Sequence, residues 1–259
     1  MKKHLLMNSC LVVCLCVLTV FAGCSDFHFK AKHARTVNLS VPVGQADELC
    51  VETAVGSIAV TGAEVTDCNI VAEITVKAET EDEARKLAEQ VKIEARPDGD
   101  RLSVKVSKPA DLKKRSLEVK FKIFAPKQLK VDCSVNVGSV SVSDMDDRIK
   151  VSGNVGSIFC RQIVGDVDLN SNVGSVEVEY SDDAAAACNA TITTNVGSIE
   201  FAAPAQLSAQ VNASTNVGSV KTDKPTTVVG KVGKSVNGTI GAGEGKIRLK
   251  TNVGSIHIK

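Results

Sequence analysis

A tetrapeptide, Asn-Val-Gly-Ser, recurs six times without change in this chain, ending at Ser139, Ser157, Ser175, Ser198, Ser219 and Ser255. Ala54-Val55-Gly56-Ser57 differs only in its first residue, and Val236-Asn237-Gly238-Thr239 reads as a worn eighth copy. Ile or Val follows the Ser or Thr every time. From Ser139 onward the copies stand 16 to 23 residues apart, a period that suits stacked rungs of a repeat protein.

Aligned on the Ser, the copies share columns. Eight residues before it stand Leu49, Val131, Ile149, Val167, Ala190, Val211 and Ile247; six before stand Val51, Cys133, Val151, Leu169, Ile192, Ala213 and Leu249. Val is always two before. After the Ser, the first and third positions are the apolar ones, as in Ile58 and Val60 or Val140 and Val142. The inward offsets are therefore even before the Gly and odd after it. One continuous strand cannot change phase, since a one-residue slip turns every later side chain to the other face. The phase change places a corner at Val-Gly-Ser.

This assigns a structural role to Gly56, Gly138, Gly156, Gly174, Gly197, Gly218 and Gly254: a corner residue at positive φ, which only Gly adopts cheaply. Asn opens the corner through an Asx-type turn. The invariant Val is expected to fill the interior at the bend, and identical corners to stack Asn over Asn and Ser over Ser. The resulting fold class is all-β, a parallel β-solenoid (β-helix) of about seven to eight rungs. The competing arrangement is an antiparallel meander with the tetrapeptide as its hairpin turns.

Ahead of the array, residues 37–128 form a strand-rich region with a different period at its centre. Glu81, Asp82 and Glu83 suit a helix N-terminus, and Ala84, Leu87, Ala88 and Val91 fall on one face. The reading is one α-helix over about 80–91, inside a strand-helix-strand insert. The array proper takes residues 129–259 and ends on a bare rung, Ile256-His257-Ile258-Lys259, which leaves end-to-end self-association open.

The first residues belong to targeting. A basic start, Lys2 and Lys3, precedes the apolar run 11–22, too short for a comfortable membrane span. Phe21-Ala22-Gly23-Cys24 resembles a bacterial lipobox, which makes 1–23 a lipoprotein signal peptide and Cys24 the lipid attachment site. Residues 24–36 then read as a tether. Ser25 after the Cys points to outer-membrane sorting in a two-membrane cell. Losing Lys2 and Lys3 takes the formal charge from +1 to −1, so no field gathers nucleic acid.

Five cysteines remain after Cys24: Cys50, Cys68, Cys133, Cys160 and Cys188. They have no zinc spacing and read as packed thiols, with a Cys50–Cys68 disulfide as the alternative. Catalytic constellations are scarce. His28 and His33 lie in the tether and His257 near the last residue, so no Ser-His-Asp relay is evident. Asp144, Asp146, Asp147, Asp166, Asp168 and Arg161 form the one acidic and basic grouping a polysaccharide-acting enzyme would use, yet they read as solvated loop charges. Gly230-Lys231-Val232-Gly233-Lys234-Ser235 lacks the first Gly of a phosphate loop. No catalytic, cofactor or metal residue is assigned.

The lipobox, the helical insert, the segment Phe121 to Pro126 and the Val-Gly-Ser-Ile/Val rungs together resemble the bacterial "putative adhesin" β-strand-repeat family, a domain of unknown function. The resemblance implies an extracytoplasmic β-solenoid and supplies no catalytic residues. The expected role is a non-enzymatic, lipid-anchored cell-envelope protein. Its surface would serve adhesion, partner binding or support. A polysaccharide-acting enzyme and a self-stacking scaffold are the alternatives.

Overall fold

The chain alternates between two sheets, changing sheet at each Gly-Ser. The computed structural model describes residues 31–110, 112, 115–224, 227–228 and 233–259; residues 1–23, read above as a signal peptide, and Cys24 lie outside them. In chain order come β1 (Ala31–Pro42), β2 (Glu48–Val55), β3 (Ile58–Ala63), β4 (Asp67–Ala78), α1 (Glu81–Gln90), β5 (Lys92–Asp98), β6 (Arg101–Ser107) and β7 (Ser116–Pro126). Strand pairs then repeat: β8 (Lys130–Val137) with β9 (Val140–Ser143), β10 (Ile149–Val155) with β11 (Ile158–Ile163), and β12 (Val167–Val173) with β13 (Val176–Tyr180). β14 (Asn189–Val196) with β15 (Ile199–Ala202) and β16 (Ala209–Val217) with β17 (Val220–Thr222) follow. β18 (Thr227–Val228), β19 (Ser235–Ile240), and the pair β20 (Gly245–Val253) with β21 (Ile256–Ile258) complete the described chain.

One sheet has ten strands in the order β1-β4-β7-β3-β9-β11-β13-β15-β21-β17; the other has eleven, β18-β19-β16-β20-β14-β12-β10-β8-β2-β6-β5. The repeat strands pair in parallel and in register, as Val151 with Cys133 and Leu169 or Cys160 with Val142 and Val178. Parallel pairing rules out the antiparallel meander. The fold is all-β with one helix, built as two long, parallel-rich sheets.

The inward columns explain the core. Residues eight and six before the Ser are buried in all seven pairs, from Leu49 and Val51 to Ile247 and Leu249, and so are the two apolar positions after it; Thr222, in the last of these columns, is half-buried. Each fully buried Val, Leu or Ile contributes about 1.5–3 kcal/mol, so the repeat is largely a device for presenting four such side chains per unit. Cys133 and Cys160 are wholly buried members of these columns, in place of a small aliphatic residue.

α1 forms where acids crowd the first turn. Thr80 caps it, its Oγ1 accepting from the Glu83 amide at 3.2 Å, while a Glu83 carboxylate oxygen accepts from the Glu79 amide at 3.3 Å. Ala84, Leu87 and Ala88 are buried as the helix packs on β1 and β4. Arg35 of β1 closes the other end, its Nε donating to the Ala88 carbonyl at 2.8 Å and a terminal nitrogen to that of Val91. A cation on the last carbonyls offsets the helix dipole there.

Four expectations need correction. Residues 31–36, read as tether, are the first half of β1, paired along their length with β4. The worn copy Val236–Thr239 makes no corner; it lies within β19, antiparallel to β16. The pair β20–β21 is not a bare end. β20 inserts between β14 and β16 and β21 between β15 and β17, because the chain folds back through the β18–β19 hairpin before adding its last copy. Finally, the invariant Val points outward: Val55, Val137, Val155, Val173, Val196 and Val253 are 40–46% exposed and Val217 61%. The interior of the bend is taken instead by the residue four before the Ser, as the buried Thr53, Val135, Ser171, Thr194, Thr215 and Thr251.

Candidate functional site

The described residue types that recur without change are all at the corner, so the corner column is where a repeated surface is built. Its axis is the Gly. All seven corner glycines have φ between +133° and +152°. They stack in the order Gly56, Gly138, Gly156, Gly174, Gly197, Gly254, Gly218, and a Cβ on any but the first would sit 1.7–2.1 Å from the carbonyl oxygen of the Gly below. Backbone conformation and stacking therefore both demand Gly. Every corner Gly amide except that of Gly218, at the end of the stack, donates across to the Val carbonyl of the neighbouring unit, for example Gly156 to Val173 and Gly174 to Val196, both at 2.8 Å.

The buried hydroxyls close the corner from inside. Ser171 Oγ donates to the Gly156 carbonyl at 3.3 Å, and Thr194 Oγ1 to that of Gly174 at 3.0 Å. Thr251 reaches Gly197 at 2.8 Å and Thr215 reaches Gly254 at 2.9 Å. A buried hydroxyl must find a partner, and the Gly carbonyl provides one. This column was not singled out from the sequence. Its signal is plain in retrospect, since five of its seven members are Ser or Thr at an inward offset.

Outside the bend runs an asparagine ladder. Asn154 Nδ2 donates to Asn136 Oδ1 and Asn172 to Asn154, both at 3.1 Å; Asn195 donates to Asn172 at 3.3 Å. Asn252 donates to Asn195, and Asn216 to Asn252 at 3.1 Å. Each side chain between the ends, Asn136 and Asn216, thus donates to one neighbour and accepts from the other. Stacked Ser residues continue the pattern, the Ser198 amide donating to Ser175 Oγ at 3.3 Å and the Ser255 amide to Ser198 Oγ at 3.2 Å.

Between these ladders stand the seven exposed valines. They are in register from unit to unit: Val55 with Val137, then Val155, Val173, Val196, Val253 and Val217. At ~4.8 Å per step the row is roughly 30 Å long. A lone exposed Val is unremarkable; a contiguous apolar row edged by amides is the form an interaction surface takes. At its β2 end the row runs into a cavity of about 600 Å³, lined by Ala54, Val55, Leu117 and Val119 together with Lys105 and Lys108.

The other candidates are dispersed. Asp147 accepts from the Arg148 amide at 2.6 Å, Asp166 from the Asn189 amide at 2.9 Å, and Asp168 pairs with Arg148 at 3.5 Å. Arg161 turns to Glu177 at 2.9 Å, not to the aspartates. Their partners are backbone amides and facing charges, so no shared acid site results. His257 Nε2 lies 2.7 Å from Asp223, which holds that carboxyl below its usual range. His33 is in β1. Among the described residues no group of three or more His, Cys, Asp or Glu could hold a metal. The five described cysteines are free thiols. Burial pushes Cys68 and Cys188 up to about 11 and Cys160 to about 12, and raises Cys133 also, so they are poor nucleophiles.

Residues 18–259 match the model of a family described as Toastrack DUF4097. No curated protein matches the chain. Among solved structures, a "putative cell adhesion protein" from Clostridium sporogenes is 13% identical, over 88% of this chain and 99% of its own, with a TM-score of 0.53. A "putative adhesin" from Bacteroides fragilis is 16% identical, over 87% of this chain and 97% of its own, with a TM-score of 0.44. At 13% identity the first likeness shows the fold alone.

Proposed function

Because the chain belongs to the Toastrack DUF4097 family, a domain of unknown function, we propose that it is a non-enzymatic binding protein of the cell envelope. In this reading it is a β-solenoid of seven rungs, anchored by a lipid on Cys24 in the outer membrane, and it holds an extended partner along its corner ridge. The observation that carries the reading is the row of seven outward valines in register, flanked by hydrogen-bonded asparagines. Outward apolar side chains repeated on every unit add nothing to the core. They offer a rigid, periodic strip to a partner of similar length, which is how stacked-repeat proteins use their extended surfaces. Adhesion, the role in the name of the Clostridium sporogenes protein, would use such a strip in this way.

The test is co-sedimentation of the purified chain with peptidoglycan sacculi and with outer-membrane vesicles. Wild type is expected to pellet with one of them, and a Val155→Lys, Val173→Lys, Val196→Lys variant to stay in solution with an unchanged melting temperature. A variant that binds as wild type does refutes the ridge. Anchoring is tested separately: Cys24→Ser is expected to abolish palmitate labelling and move the protein to the soluble fraction. Retention of label would refute Cys24 as the attachment site.

A further inference from the structure

The four sheet edges are not equivalent. At one end the edges are β17, three residues long, and β18, two residues long. At the other, β5 carries Lys92, Glu94, Arg96 and Pro97, charges and an imide that discourage pairing. The fourth edge, β1, is neither short nor interrupted by Pro, and its charged residues are confined to its first five positions. It is twelve residues long, has no Pro before its last position, and pairs on one side only, with β4. β5 approaches it without pairing. Among the described residues no backbone group is hydrogen-bonded to its other side.

Its side chains show what is missing. Val37, Leu39 and Val41 face inward beside Ala72, Ile70 and Cys68 of β4. Those β4 residues are fully buried, whereas the three on β1 are only half covered. Another strand alongside would complete their burial. The charges then select which strand. Lys32, His33 and Arg35 all lie in the first five residues, and Thr36–Pro42 carries no charge. Two copies of β1 in parallel register would set like charges directly opposite one another, which is destabilising. Two copies running antiparallel place the uncharged halves together and the basic halves at opposite ends. Centred on Leu39, such a pair sets Val37 across from the partner's Val41, and the exposed Asn38 across from the partner's Ser40. The same patch on both copies is the definition of a two-fold interface.

We propose that β1 is the dimer interface of this protein, pairing antiparallel with β1 of a second copy so that the ten-stranded sheet continues across both. Neither the corner ridge nor the lipid takes part, so the ridge reading and this one stand or fall separately.

The experiment is sedimentation equilibrium of the full lipidated chain in density-matched detergent. Wild type is expected to show a dimer mass at micromolar concentration. Asn38→Lys with Ser40→Lys, both exposed on the outer face, is expected to weaken dimerisation at least tenfold without changing the melting curve. The acidic counterpart, Asn38→Glu with Ser40→Glu, should also be monomeric. Mixing the basic and acidic variants should restore the dimer mass, which a merely destabilised fold could not do. A monomeric wild type, or dimers that survive in either variant alone, would overturn the proposal.

Discussion

Replacing Gly174 by Ala should cost far more than a Gly→Ala change usually does, for two separable reasons. Gly174 sits at φ +147°, where a non-Gly residue stores about 1–3 kcal/mol of backbone strain. Its Cβ would also lie 2.1 Å from the Gly156 carbonyl oxygen, 2.5 Å from the Gly156 carbonyl carbon and 3.1 Å from the Ser157 amide. Relieving that overlap means parting the two units by roughly 1 Å, an overpacking cost of about 1–3 kcal/mol. The same movement stretches the 2.8 Å bond from the Gly156 amide to the Val173 carbonyl, a loss of about 1 kcal/mol. The whole is about 3–7 kcal/mol, or on the order of 10–20 °C in melting temperature for a domain of this size. Gly44→Ala is the control: Gly44 has φ +62° with nothing within 4 Å of its Cβ position, so only about 1–2 kcal/mol of left-handed strain applies. Ser175→Ala, which removes one exposed acceptor, should cost under about 1 kcal/mol. Urea unfolding of the three variants, followed by circular dichroism, measures the differences. If Gly174→Ala fell within 1 kcal/mol of Gly44→Ala, the stacked-corner argument would be wrong.

Three further outcomes are expected. Thr194→Val keeps shape but leaves the Gly174 carbonyl without its 3.0 Å hydroxyl, so unfolding midpoints should drop by about 1–2 kcal/mol; a neutral change would mean the buried hydroxyl column is only filler. Asn172→Asp should destabilise more than Asn172→Ala at pH 7, because an acceptor-only carboxylate faces Asn154 Oδ1 with like partial charge, a repulsion that Ala does not introduce, and the gap should narrow near pH 3 as the carboxyl protonates; equal losses at both pH values would dissolve the ladder. The buried thiols of Cys133 and Cys160 are pushed upward by burial, against about 8.5 in an unfolded chain. Folding therefore favours the protonated form, its contribution is complete below about pH 8.5, and it is lost as pH rises toward about 12. Stability should fall above pH 9, with each thiol adding about 1.4 kcal/mol per pH unit while only the unfolded state ionises. Replacing both by Ala should flatten that slope, and an unchanged slope would count against the assignment.

How much was legible follows from which forces write themselves into sequence. The columns eight and six before the Ser, and one and three after it, were readable because burial selects apolar side chains whatever the neighbouring units do. The corner was readable from the phase change, and its Gly from the backbone conformation a corner requires. The outward Val was misread because apolar character normally reports burial. Here the same residue type recurs for its exposed face, and the pattern of one column does not distinguish the two. Only the adjoining column does, since Thr194 and Thr251 already occupy the interior at that level.

The stacking order failed for a different reason. Identical corners pair equally well with one another, so local sequence does not say which copy neighbours which. That choice falls to the connections. The β18–β19 hairpin occupies the far edge of β16 through the antiparallel pairs Ala209 with Ile240 and Val211 with Gly238. With that edge taken, the chain re-enters on the side facing β14, and β20 pairs in parallel with both, Ile247 beside Ala190 and Val211. The interchangeability that hid the order is also what allows the insertion: Gly254 fits over Gly197 and under Gly218 as closely as any consecutive pair. A worn Gly238 with no positive φ is the residue that marks the detour. It abandons the corner conformation because its strand caps the stack instead of extending it.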